Sequence, residues 1–315
     1  MQKTAEHKRK SKYKLSDNLF VFSLIFYPLI LFVIFYIIQN FNSILLAFQR
    51  ITGSGREFAG LENFSAFLKD VFSSGAILNY SIRNSLIMYA VSLVICMPLY
   101  IVFAWLLFKK CFMHGFISFT VMIPQIMSGM VTSLIFVQAI GSNGLAPTLF
   151  KALGINGGEW FSLLWEQKTA FATVIGYNIW LSFAMSLIVY PNAMRSINPE
   201  IIESAQIDGI HNMFQELWYI ILPLIYPTLS TFLITGVAAI FTNAGPLMSL
   251  YYTNAPEYVY TMGYYFTRQI LVDGTEFAYP KYAAGGLILT FISTPITLLV
   301  KYLLEKFGPS EEAKV

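Results

Sequence analysis

Two sets of side chains have the types and spacing to meet a solute. Asn178, Ser182 and Ser186 recur at every fourth position, with Tyr177 and Trp180 beside them. Thr228, Thr231, Thr235 and Thr242 follow at spacings of 3, 4 and 7, and Asn243 comes next. Residues so spaced share one face of an α-helix, so each set is a polar stripe. Hydroxyls and amides are neutral donors and acceptors. Beside aromatic faces they suit an uncharged, polyhydroxylated solute; a strongly anionic one would be met by Arg or Lys. The plainer role of Ser and Thr in apolar helices is to bond a carbonyl one turn back, or to hold neighbouring helices together. Asn is harder to satisfy that way. The candidate path is therefore Tyr177, Asn178, Ser182, Ser186, Thr235 and Asn243. Bond-breaking chemistry has no comparable set. The sequence has no paired carboxylates and no nucleophile with a base near an apolar run. His7, His114 and His211 lie apart, and Cys96 and Cys111 have no metal-ligand spacing.

Between the two stripes lies a loop of a different kind. From Ser196 it reads Ile197-Asn198-Pro199-Glu200-Ile201-Ile202-Glu203-Ser204-Ala205-Gln206-Ile207-Asp208-Gly209. Pro199 suits a first helical turn with Asn198 as its cap. Ile201, Ile202, Ala205 and Ile207 are expected to form one apolar face, and Gly209 to end the helix in a left-handed conformation. A second helix is expected over Asn212 to Tyr219. The product is a short helix, a bend and another helix.

The elements that position these residues must lie in a bilayer. The chain is 56% hydrophobic and 12% charged, against about 25% charged in ordinary soluble domains. Six stretches are long and apolar enough to span: Leu19–Phe41, Asn84–Phe108, Phe116–Ile140, Thr169–Asn192, Ile220–Asn243 and Tyr282–Val300. None contains Asp, Glu, Lys, Arg or His. The first exceeds a signal peptide's apolar core and lacks a following cleavage site, so it reads as an uncleaved span. The basic tail carries Lys3, Lys8, Arg9, Lys10, Lys12 and Lys14. Placing it in the cytoplasm also puts Lys109, Lys110, Arg195, Lys301, Lys306 and Lys314 inside, the arrangement favoured by positive-inside topology. Both termini are then cytoplasmic, and loop 196–219 is too. The expected organisation is a tail over 1–18 that attracts lipid, a six-helix domain over 19–304, and a second tail over 305–315. Trp160 and Trp165 are expected at the membrane interface.

The chain has no evident engine of its own. It lacks a Gly-x-x-x-x-Gly-Lys-Ser/Thr phosphate loop. Spans without ionisable residues argue against proton coupling. A net charge of +3 suggests no nucleic-acid partner. Either an ATPase partner drives transport, or the chain is a stand-alone facilitator or channel.

Glu203, Ala205, Asp208, Gly209, Leu222 and Pro223 resemble the Glu-Ala-Ala…Gly loop of ABC-importer permeases. The resemblance is to the carbohydrate-uptake branch that includes the maltose and glycerol-phosphate permeases. Ser204 stands where the family usually has its first Ala, and the run from Gly209 to Leu222-Pro223 is one residue longer. Phe58-Ala59-Gly60-Leu61-Glu62-Asn63-Phe64 is similar to the branch's first outer loop. Ile123-Pro124-Gln125 opens its third span, and Asn143-Gly144-Leu145 and Leu153-Gly154 fall in its second outer loop. This resemblance implies a type I importer permease in the bacterial cell membrane, all-α with six transmembrane helices. It implies a coupling loop at Glu203, Ser204, Ala205, Asp208 and Gly209 that docks on an ATPase, and substrate contacts from the fourth and fifth spans. The implied partners are a second homologous permease, two nucleotide-binding ATPase subunits and an extracytoplasmic sugar-binding protein. ATP and Mg are then held by the ATPase, and this chain binds no cofactor and is no enzyme. The implied cargo is a neutral sugar or oligosaccharide.

Overall fold

Prolines shape the long apolar helices. A proline inside a helix lacks an N–H, and its ring crowds the carbonyl four residues back. In α3 (Ile77–Phe108) a widened π-type turn over Ser92–Cys96 precedes Pro98, with the Met97 amide donating to Ser92 O. In α9 (Met213–Leu224) the same device over Leu217–Ile221 precedes Pro223. Each wide turn makes room for the ring; α3 then continues to Phe108, whereas α9 ends at Leu224, just past its proline.

The computed structural model describes residues 20–73, 77–154, 163–272 and 274–309. The tail 1–18, Gly157, Gly158, Trp160 and residues 310–315 lie outside them. The chain divides into two compact units, residues 1–68 with 275–288, and 69–274 with 289–315.

In the first unit, α1 (Phe20–Ala47) is apolar on every side, and none of its most apolar window is buried by the rest of the chain. In an aqueous protein such a surface would be untenable; in lipid it is the ordinary condition. A hairpin not anticipated from the sequence follows: β1 (Gln49–Thr52) pairs antiparallel with β2 (Gly55–Phe58), Thr52 opposite Gly55. Gly53-Ser54 form its two-residue turn, and Gly55 takes φ +136°, a conformation that suits glycine. Asn63, on α2 (Glu62–Phe72), secures the hairpin's root by donating to Ala47 O and Gln49 O at 2.9 and 2.8 Å. Arg50 pairs with Glu62 across it. Gly285, early in the helix Tyr279–Phe307, faces the Phe67 ring so closely that a β-carbon there would not fit.

The core of the second unit joins four helices. Cys96, Tyr100, Ala104 and Leu107 recur every third or fourth residue on α3 and pack with Leu187, Tyr190 and Met194 of α7 (Ala170–Arg195). Leu217 and Ile221 of α9 and Leu229 of α10 (Tyr226–Ala238) complete the cluster. Lipid is as apolar as these side chains, so close packing rather than escape from water holds them together.

Among the described residues, five helices are long and apolar enough to span, and six if α9 and α10 count as one bent span. The third span departs from the expected Phe116–Ile140. It is broken into α4 (His114–Ile126) and α5 (Gly129–Ile140). Pro124 lies one turn before the break, Met127 is extended, and the Ser128 hydroxyl accepts from Val131 N to cap α5. The long apolar stretch runs instead from Gly129 to Ala152, including α6 (Leu145–Ala152).

Candidate functional site

The loop after α7 is built by its caps. Asn198 Oδ1 accepts from Glu200 N at 3.1 Å, and Pro199 opens α8 (Pro199–Ile207). At the other end Ile210 N donates to Ala205 O and Gly209 N to Gln206 O. That paired closure is a Schellman motif, and it requires the positive φ that Gly209 adopts at +102°. Asn212 then caps α9 through Phe214 N. α9 runs past Tyr219 into the apolar stretch expected from Ile220 and ends at Leu224. The wide turn at Leu217–Ile221 absorbs Pro223, and the chain bends by 68° into α10 near Ile225, just before Pro227.

Glu203, Ser204, Asp208 and Gly209 are exposed and Ala205 is buried. The expected apolar face of α8 is split. Ala205 points inward with Ile202 half-buried, but Ile207 is 86% exposed, because two residues turn a helix by about 200°. Phe214, Trp218 and Tyr219 on α9 are exposed too. A capped, rigid bend surrounded by exposed apolar side chains is suited to seating a partner.

Farther along α10 lies a cavity of about 240 Å³, the volume of roughly eight waters. Ser85, Tyr89 and Ser92 of α3 line one wall and Ser186 and Tyr190 of α7 another; Gly236 of α10, Asn243 and Thr261 also face it, and apolar side chains such as Met88, Met97, Phe232 and Ile240 fill the rest. No charged residue lines it. Gly236 has Tyr89 close by, a β-carbon there falling 3.1 Å from the ring. Asn243 Oδ1 accepts from Gly245 N at 2.7 Å, which fixes its side chain.

Of the candidate path residues, Ser186 and Asn243 line this cavity. Tyr177 does not: it is fully buried and packs at a tilt against Phe136 of α5, ring centroids 4.6 Å apart. Asn178 and Ser182 lie off the wall, partly buried on α7. Thr235 is exposed and bonds Thr231 O at 2.8 Å, as Thr231 bonds Pro227 O. Thr231 and Thr235 are thus satisfied within their own helix, and no threonine of the stripe lines the cavity. The α3 wall was missed. Its signal was present, since Ser85, Tyr89 and Ser92 stand at i, i+4 and i+7.

The segment after Tyr252 is fastened over one end of this region. Asn84 Nδ2 donates to Tyr258 O and Tyr260 O at 2.8 and 3.0 Å, and Met262 N donates to Ser85 Oγ. Gly263 lies against the backbone of Thr242–Ala244, with no room for a β-carbon. The Tyr251 hydroxyl donates to Leu164 O at 2.6 Å, and burial pushes its pKa up, so it remains a donor.

Known proteins resemble the chain over most of its length. It is 30% identical over 225 residues to the "Multiple sugar-binding transport system permease protein MsmF" of Streptococcus mutans, covering 71% of this chain and 74% of that one. It is 26% identical to the "Polygalacturonan/rhamnogalacturonan transport system permease protein YteP" of Bacillus subtilis, covering 96% and 93%. It is 24% identical to the "Arabinooligosaccharides transport system permease protein AraP" of Halalkalibacterium halodurans, covering 89% and 87%. A chain in the crystal structure of a bacterial alginate ABC transporter, in complex with its alginate pentasaccharide-bound periplasmic protein, superposes with a TM-score of 0.76 at 20% identity, covering 93% and 96%. No protein-family model matches the chain.

Proposed function

Because this chain belongs to the permeases of ABC sugar transport systems, multi-pass proteins of the cytoplasmic membrane, we propose that it carries a neutral sugar or oligosaccharide inward by alternating access, driven through loop 196–219 by separate ATPase subunits. Both termini and this loop face the cytoplasm. Glu203, Ser204, Ala205, Asp208 and Gly209 form the docking element, and the cavity between α3, α7 and α10 is part of the route. A second homologous permease supplies the other half of that route, and an extracytoplasmic sugar-binding protein delivers the cargo. ATP and Mg are held by the ATPase subunits, where hydrolysis takes place.

One observation carries this reading. The bend at Gly209 is rigidly capped, exposed, and continuous through α9 with α10, the helix that walls the cavity. A push at the loop is thereby delivered to the route. The relatives' names include a polyuronide carrier and an arabinooligosaccharide carrier, so kinship alone leaves the cargo's charge open. The uncharged cavity wall favours a neutral one.

The test is co-expression with the ATPase partner of Gly209→Pro and Glu203→Lys chains, followed by co-purification and uptake. Reduced association and uptake are expected; undiminished association and uptake in both variants would overturn the docking role. For the cargo, neutral saccharides should compete for uptake better than uronates, and the reverse order would refute neutrality.

A further inference from the structure

Glu216 is the one buried charged residue among those described, 5% exposed. Its counter-charge is Lys109, whose Nζ lies 2.5 Å from Glu216 Oε1. The two come from different elements. Lys109 is the capping residue just after α3, followed by left-handed backbone at Lys110 and, three residues later, at Met113 (φ 54° and 59°). Glu216 sits in the first turn of α9, seven residues beyond the Gly209 bend.

The pair's position distinguishes it from ordinary packing. α3 and α10 wall the same cavity, and α9 leads directly into α10. Lys109 and Glu216 join α3 and α9 at the loop end, about 13 Å along α3 from Tyr100 at the cavity's near edge, at 1.5 Å per residue. The apolar contact between these elements is already complete without charges: Trp105 and Phe214 are in ring contact, and Leu217 and Ile221 share a core with Tyr100 and Ala104. Burying an ion pair adds little stability beyond what apolar residues give, and its best-attested use is to fix register.

We propose that the Lys109–Glu216 ion pair is a transmission link: it makes α3 follow α9 when the loop is displaced, so that both walls of the cavity move together. Both are positioning residues, since neither lines the cavity and Glu216 is turned away from the surface on which a partner would sit. The inference rests on the ATPase-driven reading above, and extends it to the step between docking and the route.

The test uses the assembled transporter in proteoliposomes and measures ATPase association, ATP hydrolysis, and sugar taken up per ATP. Lys109→Met and Glu216→Gln are expected to associate with the ATPase and hydrolyse ATP as the unaltered chain does. Uptake per ATP should fall roughly tenfold, within the range of a site-to-site coupling. Lys109→Arg and the exchange of Lys109→Glu with Glu216→Lys should restore it. Unchanged uptake per ATP in the neutral variants overturns the proposal, as does loss that neither Arg nor the exchange restores. Loss of ATPase association would make the pair part of the docking surface and overturn it too. Failure of every altered chain to accumulate would make the pair a packing requirement, and the transmission role would fall with it. The docking reading is tested separately, by Gly209→Pro and Glu203→Lys: if association survives in those chains, that reading falls first.

Discussion

Gly209→Ala isolates the conformational demand of the bend. Gly209 takes φ +102°, and a β-carbon built there meets no heavy atom within 4 Å. The substitution therefore introduces no clash, and its effect is confined to forcing an L-residue into left-handed backbone, about 1–2 kcal/mol. At 1.4 kcal/mol per factor of ten, the closed Schellman motif loses roughly 5–30-fold against its opened forms. The reporter is the Ile210 amide, which donates to Ala205 O at 3.0 Å only while the motif is closed. Its hydrogen-exchange rate should rise by that same factor in the purified chain, while the amides of α7 exchange as before. The affinity for the ATPase subunit should weaken by no more than that factor. Gly209→Pro should do more, because it also removes the Gly209 N–H that bonds Gln206 O. An Ile210 amide that exchanges no faster in Gly209→Ala would refute the view that the left-handed glycine holds the bend.

Three further outcomes concern the cavity and the segment fastened beside it. Gly263→Ala places a β-carbon 2.5 Å from Thr242 O, and backbone cannot yield as a flexible side chain does; a loss of about 1–3 kcal/mol is expected, read as a lowered Tm in detergent. Asn84→Ala removes the amide that donates to the Tyr258 and Tyr260 carbonyls; at about 0.5–1.5 kcal/mol per hydrogen bond, faster exchange is expected over residues 258–262 with little change in α8. Gly236→Leu fills the cavity beside Tyr89; uptake should collapse while ATPase association is kept, and normal uptake would remove this cavity from the route.

What the sequence disclosed depended on whether the deciding interactions were local. The inter-span loop was legible because Asn198, Pro199, Gly209 and Asn212 act within a few residues of themselves, and each takes the role its chemistry suggests. Spans were legible from apolar length. The break at Met127–Ser128 was not, because a proline inside an apolar run is tolerated at Pro98 and Pro223 through a widened turn. At Pro124 the following Ser128-Gly129 offers a cap instead, and the helix ends. The cavity was only half visible. Periodicity places Thr231 and Thr235 on one face but cannot say whether that face meets a cavity, and their hydroxyls are satisfied one turn back. Tyr89 and Ser92 look like routine members of an apolar span until α10 is set opposite them. The Glu216–Lys109 pairing joins residues more than a hundred positions apart, and no spacing rule reports it.

Transmission of force through the bend is tested most directly by what touches residue 207. Ile207 is 86% exposed on the outer side of α8, so a photoreactive phenylalanine derivative placed there samples whatever sits against the bend. Illumination of the assembled transporter in membrane vesicles should join this chain to the ATP-binding subunit. Adducts formed only with lipid, or with the extracytoplasmic binding protein, would contradict a docking role for the loop.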